Sequence, residues 1–157
     1  MSDPIQLSDK KVENIRHLLV EEPTVINKKQ SIDELLVSIV DDPRTRHVYV
    51  VNDANSLIGI VRMNKVVQYL FPFAAMIEHG TELSIGDLAN FDIECVQDIM
   101  DENPCYVKGS ISLSEMADIL IRERINELPV VDDDMHLVGQ INIYEVIMEY
   151  LHEIHNG

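Results

Sequence analysis

The chain has 157 residues, 46% of them hydrophobic and 25% charged, ordinary proportions for a globular domain, and a chain of this size buries about 68–70% of its unfolded surface. Its 12 Lys and Arg stand against 28 Asp and Glu, a net charge of −16, which argues against nucleic acid and anionic membrane surfaces, since both are recognised through basic patches. No apolar run approaches the roughly 18 residues of a spanning helix, and residues 1–11 lack the apolar stretch of a secretory signal. Cys95 and Cys105 have no metal or redox spacing. They read as reduced thiols, and the expected compartment is the cytoplasm.

Residues 1–8 read as a loose lead. Ser8 is placed to cap a helix from Asp9 to about Val20, with Val12, Ile15, Leu18 and Leu19 on one face and Pro23 beyond its end. Thr24–Ile26 predicts a short strand. Ser31-Ile-Asp-Glu34 is a capping box, in which hydroxyl and carboxylate each satisfy the other residue's backbone N–H. Ile32, Leu35, Leu36, Ile39 and Val40 then form a buried helical stripe that Asp42-Pro43 stops. Two apolar strands within His47–Arg62 precede a helix from Met63 to Leu70. After Pro104 the order recurs: a strand over Cys105–Val107, the capping box Ser112-Leu-Ser-Glu115, and a stripe of Leu113, Met116, Ala117, Leu120 and Ile121. Strands at Leu128–Val131 and Leu137–Ile141 come next, then a helix from Ile143 to about Ile154.

This is an internal repeat. Val50, Val51, Asp53, Leu57 and Gly59 recur as Val130, Val131, Asp133, Leu137 and Gly139, at an offset of 80. Pro23, Ser31 and Glu34 recur as Pro104, Ser112 and Glu115, at an offset of 81. Two copies are too few for a solenoid, so a pseudo-symmetric pair sharing one interface is expected. Phe71 to Glu94 lies outside the repeats, with apolar residues from Phe73 to Phe91 broken by Gly80 and Gly86. It reads as one or two short helices, either a cap over the core or a contact surface for a protein partner.

The order of a Pro before the first strand, a capped helix, Pro129-Val-Val-Asp132 and Leu137-Val-Gly-Gln-Ile141 resembles tandem CBS domains, the regulatory pair called a Bateman module. In the first copy Val50-Val51 and Leu57-Ile-Gly-Ile-Val61 carry the resemblance, with Tyr49 in place of the proline. It covers about residues 18–70 and 94–152. The implied fold is α/β (α+β), two β-α-β-β-α repeats packed through their sheets, with an N-terminal helix and a helical inter-repeat segment. The division expected is 1–17 for the lead and helix, 18–70 for the first repeat, 71–93 for the connection and 94–157 for the second repeat. The resemblance also implies a homodimer.

Such pairs bind adenosyl compounds, AMP, ADP, ATP or S-adenosylmethionine, in the clefts between repeats, through G-h-h-[ST]-x-x-D at the end of the third strand. The second copy reads Gly139-Gln-Ile-Asn142-Ile-Tyr-Glu145. Its Asn and Glu keep the polarity needed for a ribose diol, and the same pair is also an acceptable helix cap that needs no ligand. Val107, Asn126 and Pro129 are the further second-copy candidates. The first copy, Gly59-Ile-Val-Arg62-Met-Asn-Lys65, has lost the pattern, because an ammonium only donates hydrogen bonds. Arg62 and Lys65 suit a phosphate instead, together with Arg44, Arg46 and Arg124, while Arg122 also flanks the second core unit. These cations read either as an anion-accepting set or as helix-end and loop charges balancing nearby acids.

Asp132-Asp-Asp134 with His136 offers hard oxygen ligands to a divalent cation, but acidic turns between strands are common and Asn52-Asp-Ala-Asn55 fills the same place. His152-Glu-Ile-His155 lacks the H-E-x-x-H spacing of a zinc protease. No catalytic constellation, nucleotide-binding loop or metal site is expected, and the chain is not expected to be an enzyme. The leading expectation is a regulatory module sensing an adenosyl compound. The alternatives are a ligand-free dimeric scaffold and a divalent-cation sensor.

Overall fold

A computed structural model describes residues 4–15, 23–43, 45–71 and 93–156. The chain divides into two compact units, one of Thr24–Pro104 and one joining Met1–Pro23 to Cys105–Gly157. Each unit is a sheet with helices, and the architecture is the mixed α/β expected. Among the described residues no helix is long and apolar enough to cross a membrane. The predicted inter-repeat helices fall on residues 72–92, outside the described set.

The first element departs from expectation. Helix α1 spans Pro4–Asp9 and ends where the sequence pattern predicts a helix to begin, so Ser8 lies inside α1 instead of capping a helix of its own. Lys11 is extended, and Val12–Asn14 is a 3₁₀ turn. Tertiary pairing overrides the helical period here: Leu113 N–H donates to the Lys10 carbonyl at 2.8 Å, and Val12 N–H donates to the Ile111 carbonyl at 3.0 Å. The apolar spacing was informative all the same, because Val12 and Ile15 both enter the core of this unit.

In the other unit the order is β1 (Val25–Asn27), α2 (Ile32–Asp41), β2 (His47–Val51), β3 (Leu57–Arg62), α3 (Met63–Leu70), a 3₁₀ turn at Val96–Asp98 and β4 (Asp101–Glu102). The sheet runs β1-β2-β3-β4, with β1 parallel to β2 and the other pairs antiparallel. Ser31 caps α2 by accepting Glu34 N–H at 3.1 Å, as the capping box requires. Ile32 and Leu35 bury one face of α2 against Val48, Val50 and Val61, each fully buried aliphatic side chain contributing about 1.5–3 kcal/mol of transfer free energy. Gly59 is needed because β4 passes so close: a Cβ there would lie 2.6 Å from Met100 Sδ and 3.0 Å from the Asp101 carbonyl.

The remaining unit repeats the plan with β5 (Val107–Lys108), α4 (Leu113–Glu123), β6 (Glu127–Val131), β7 (Leu137–Asn142) and α5 (Ile143–Asn156). Its sheet runs β5-β6-β7, and Ser112 caps α4 through Glu115 N–H at 3.1 Å. Details recur at matched positions. Register slips between Val50 and Val51 in one copy and between Val130 and Val131 in the other. Asn55 and Met135 both take left-handed backbone, at φ 64° and 66°, closing the same turn.

A second internal match precedes the residues matched between the copies from Pro23 and Pro104 onward. Val12–Ile15 and Val96–Ile99 each form a 3₁₀ turn with both ends buried. Each segment adds to the unit holding the other repeat's strands: Lys11 bridges Ser112, and Cys95 bridges Ser31.

Candidate functional site

Four of the candidate residues lie where a third strand hands over to its helix, Arg62 and Lys65 at β3–α3 and Asn142 and Glu145 at β7–α5. At the β7–α5 junction Asn142 Oδ1 accepts the backbone N–H of Glu145 at 2.9 Å. The cap holds Glu145 in the first turn of α5 with 5% of its surface exposed, where a carboxylate also gains from the helix dipole. Asn126 is exposed, and its carbonyl receives Ile143 N–H at 2.9 Å, tying the start of β6 to the start of α5. Pro129 is buried in mid-strand. Val107 is buried as well, but its side chain joins the apolar core with Leu128 and Val130. Asn142, Glu145 and Asn126 therefore stand together at one end of the sheet, and Val107 contributes to the frame beneath.

The β3–α3 junction has different chemistry. Arg62 occupies the cap position of α3 and makes no side-chain capping bond. Its Nε lies 3.8 Å from the Asp101 carboxylate, a half-exposed pair of little energetic weight. Lys65 is half-buried and lines a cavity of about 70 Å³ with Gln68, Tyr69, Ile93, Asp98 and Ile99. Drug-sized ligands occupy roughly 300–1,000 Å³, so this hollow is too small for a nucleoside. In the carboxylate's own neighbourhood, Asp98 accepts N–H bonds from Glu94 at 2.9 Å and Cys95 at 3.0 Å, and these hold it below the usual carboxylate range.

Arg124 ends α4 in left-handed backbone at φ 55°, its N–H turned to the Ile121 and Leu120 carbonyls. Arg122 pairs with its neighbour Glu123 at 3.1 Å. Arg46 is exposed in the approach to β2, and Arg44 lies outside the described residues. Asp132 Oδ1 accepts the N–H groups of both Asp134 and His136 at 2.9 Å, as Asn52 Oδ1 does for Ala54 and Ser56 at 3.0 Å. The acidic turn is thus built the same way in both copies, one with an amide and one with a carboxylate. Asp132, Asp134 and His136 still place ligand atoms within 4.8 Å of one another.

Each repeat ties this turn back to the end of its first strand, where Asn27 and Lys108 hold matching positions and Lys29 lies two residues further on. Lys108 Nζ meets Asp133 at 3.1 Å, and Lys29 meets Asp53 at 2.6 Å while Asn27 adds a bond at 3.2 Å. The hydrogen bonds from Lys29 and Asn27 lower the Asp53 pKa. Sequence reasoning missed a stronger feature: Lys10 donates to both Glu149 and Glu153 of α5, and Glu149 is fully buried. Its one legible signal is the spacing of Glu145, Glu149 and Glu153, four residues apart on one helix face. His47 Nε2 and Tyr49 Oη, 2.8 Å apart, form another contact that strand periodicity only hints at, as residues two apart on one face.

A sequence model of the CBS domain matches residues 12–72 and 96–152. Inosine-5'-monophosphate dehydrogenase of Nitrosopumilus maritimus is 27% identical over 136 residues, which cover 87% of this chain and 24% of that protein. Among solved structures, CBSX2 in complex with AMP has a TM-score of 0.71 at 22% identity, over 90% of this chain and 96% of that one. A CBS domain pair in complex with 5'-methylthioadenosine and S-adenosyl-L-methionine has a TM-score of 0.65 at 18% identity, over 92% of this chain and 98% of that one. At these identities the structural likeness speaks for the fold.

Proposed function

From the premise that the chain belongs to the CBS-domain family, we propose that it is a regulatory module whose second repeat recognises an adenosyl compound, AMP, ADP, ATP or S-adenosylmethionine, and relays its presence to a protein partner. The observation that carries this reading is the β7–α5 junction. A polar cap at Asn142 and a carboxylate at Glu145 stand where the family motif has its hydroxyl residue and its ribose-binding Asp. Relatives of the same fold are described in complex with AMP and with S-adenosyl-L-methionine. Arg62 and Lys65, at the corresponding junction of the first repeat, supply positive charge suited to phosphate, with Arg44, Arg46 and Arg124 as further cations. Differential binding of the ligand to two arrangements of the protein would then shift their populations, with no chemical step.

Calorimetric titration with AMP, ADP, ATP and S-adenosylmethionine tests this reading. Binding that weakens at least tenfold in Glu145→Gln supports it. Absence of heat with all four at protein concentrations on the order of 0.1 mM excludes it down to weak affinities.

A homodimer is the setting this reading assumes, and one observation favours it. Ile143, Tyr144, Ile147, Tyr150 and Leu151 of α5 are each 45–68% exposed, and exposed apolar residues grouped on one helix face suit an interaction surface. Sedimentation of the wild type as a dimer and of Ile147→Glu as a monomer supports self-association through α5. The cation-sensor alternative rests on Asp132, Asp134 and His136, and a thermal shift with magnesium or calcium alone would favour it.

A further inference from the structure

We propose that residues 4–15 form a strap latched onto α5 by the charge of Lys10, so that docking of this segment is controlled separately from the folding of the unit it covers. Three kinds of attachment hold the segment. The backbone is bonded through Lys10 O, Val12 N and Glu13 N to Leu113, Ile111 and Gly109 at 2.8–3.0 Å. Val12 and Ile15 enter the core, with Leu7 packed against it. The Lys10 ammonium bridges Glu149 and Glu153.

The first two attachments have counterparts in the other unit, where Val96 N–H and Gln97 N–H bond the Gln30 and Lys28 carbonyls and Val96 and Ile99 are buried. The ionic attachment has none among the described residues. Aligning the two 3₁₀ turns puts Glu94 at the position of Lys10, and the 80-residue offset puts Tyr69 at the position of Glu149. The fold therefore closes without this contact, and in the second-repeat unit the contact has been added. Its setting makes it decisive there. Glu149 has no exposed surface, and among the described residues its Oε2 has no hydrogen-bond partner, so the Lys10 charge makes its burial tolerable. A buried carboxylate that loses its cation is strongly destabilised, and lifting the strap relieves that cost by letting water reach Glu149. Gly109 completes the fit, since a Cβ there would stand 3.0 Å from Glu13 Cβ and 3.1 Å from its carboxylate.

Hydrogen exchange on the full chain, without added ligand, tests the latch. In Lys10→Met the amides of Val12–Ile15 should exchange at least about tenfold faster than in the wild type, while β6 and β7 change by no more than about twofold. Lys10→Arg should retain protection, and Lys10→Met with Glu149→Met should recover it, since no buried charge remains. The proposal fails if Lys10→Met leaves Val12–Ile15 protected, if the loss spreads equally through β6 and β7, or if Lys10→Arg opens the segment as fully as Lys10→Met. Should Lys10→Met not fold, the double variant decides: protected amides support the latch and exposed ones overturn it.

Discussion

The carboxamide of Asn142 accepts the backbone N–H of Glu145 at 2.9 Å, and that bond closes the first turn of α5. Arg62 holds the corresponding place before α3 and makes no capping bond. Loss of such a cap typically costs about 1 kcal/mol. Asn142→Ala should therefore lower the unfolding free energy measured in urea by that amount, while Asn142→Ser holds most of it. Conversely, Arg62→Asn should stabilise the chain by about 0.5–1 kcal/mol. An unchanged midpoint in Asn142→Ala would show that the cap adds nothing to the packing of α5.

Gly59 is a glycine for steric reasons. A methyl group there meets Met100 Sδ at 2.6 Å and the Asp101 carbonyl at 3.0 Å, and only the first of these belongs to a flexible side chain. Gly59→Ala should cost about 1–3 kcal/mol by overpacking. Adding Met100→Ala should recover only part of the loss, because the Asp101 carbonyl is held in the β3–β4 ladder. Thermal denaturation of both variants checks this. Full recovery in the double variant would place the whole clash on Met100.

Much of the fold was legible because its signals are local and occur twice. Ser31-x-x-Glu34 and Ser112-x-x-Glu115 set both caps, and the valines and glycines at an offset of 80 set both hairpins. The segment around Lys10 was misread because its backbone bonds go to Ile111, Leu113 and Gly109, about a hundred residues along the chain. Helical spacing of Val12 and Ile15 cannot distinguish an α-helix from a 3₁₀ turn docked by strand-like bonds. The junction residues Asn142 and Glu145 were legible as a pair because capping is a three-residue rule. Lys10 with Glu149 was not, since an ion pair separated by 139 residues leaves no local pattern.

The pH dependence of stability should carry two separable limbs. Backbone bonds from Glu94 and Cys95 lower the Asp98 pKa in the folded state. Its contribution is present above the unfolded value of about 3.9 and is lost as pH falls through the lower folded value. For Lys10, burial opposes the charge, but hydrogen bonds and attraction from Glu149 and Glu153 outweigh it and raise the pKa. That contribution is complete below about 10.4 and is lost as pH rises through the higher folded value. Asp98→Asn should flatten the acid limb of a denaturation series and leave the alkaline one, and Lys10→Met should flatten the alkaline limb. An acid limb unaffected by Asp98→Asn would assign it to other carboxylates.

Tyr49 stands where the second repeat has Pro129, and the two residues differ in what they ask of the neighbouring strand. Tyr49 N–H donates to the Thr24 carbonyl at 2.9 Å, a bond that Pro129 cannot make. Its phenol meets the His47 ring edge-on, with centroids 5.0 Å apart and Oη 2.8 Å from Nε2. Tyr49→Phe keeps the ring and the backbone bond and removes only the hydroxyl contact, so it should cost about 0.5–1.5 kcal/mol. Tyr49→Pro removes the ladder bond to Thr24 and empties a fully buried aromatic site. Truncating a buried aromatic alone costs about 3–5 kcal/mol, so this exchange should be the more damaging of the two despite copying the other repeat. Urea denaturation of both variants separates these effects, and a Tyr49→Pro variant as stable as Tyr49→Phe would mean that the first repeat tolerates the proline geometry of the second.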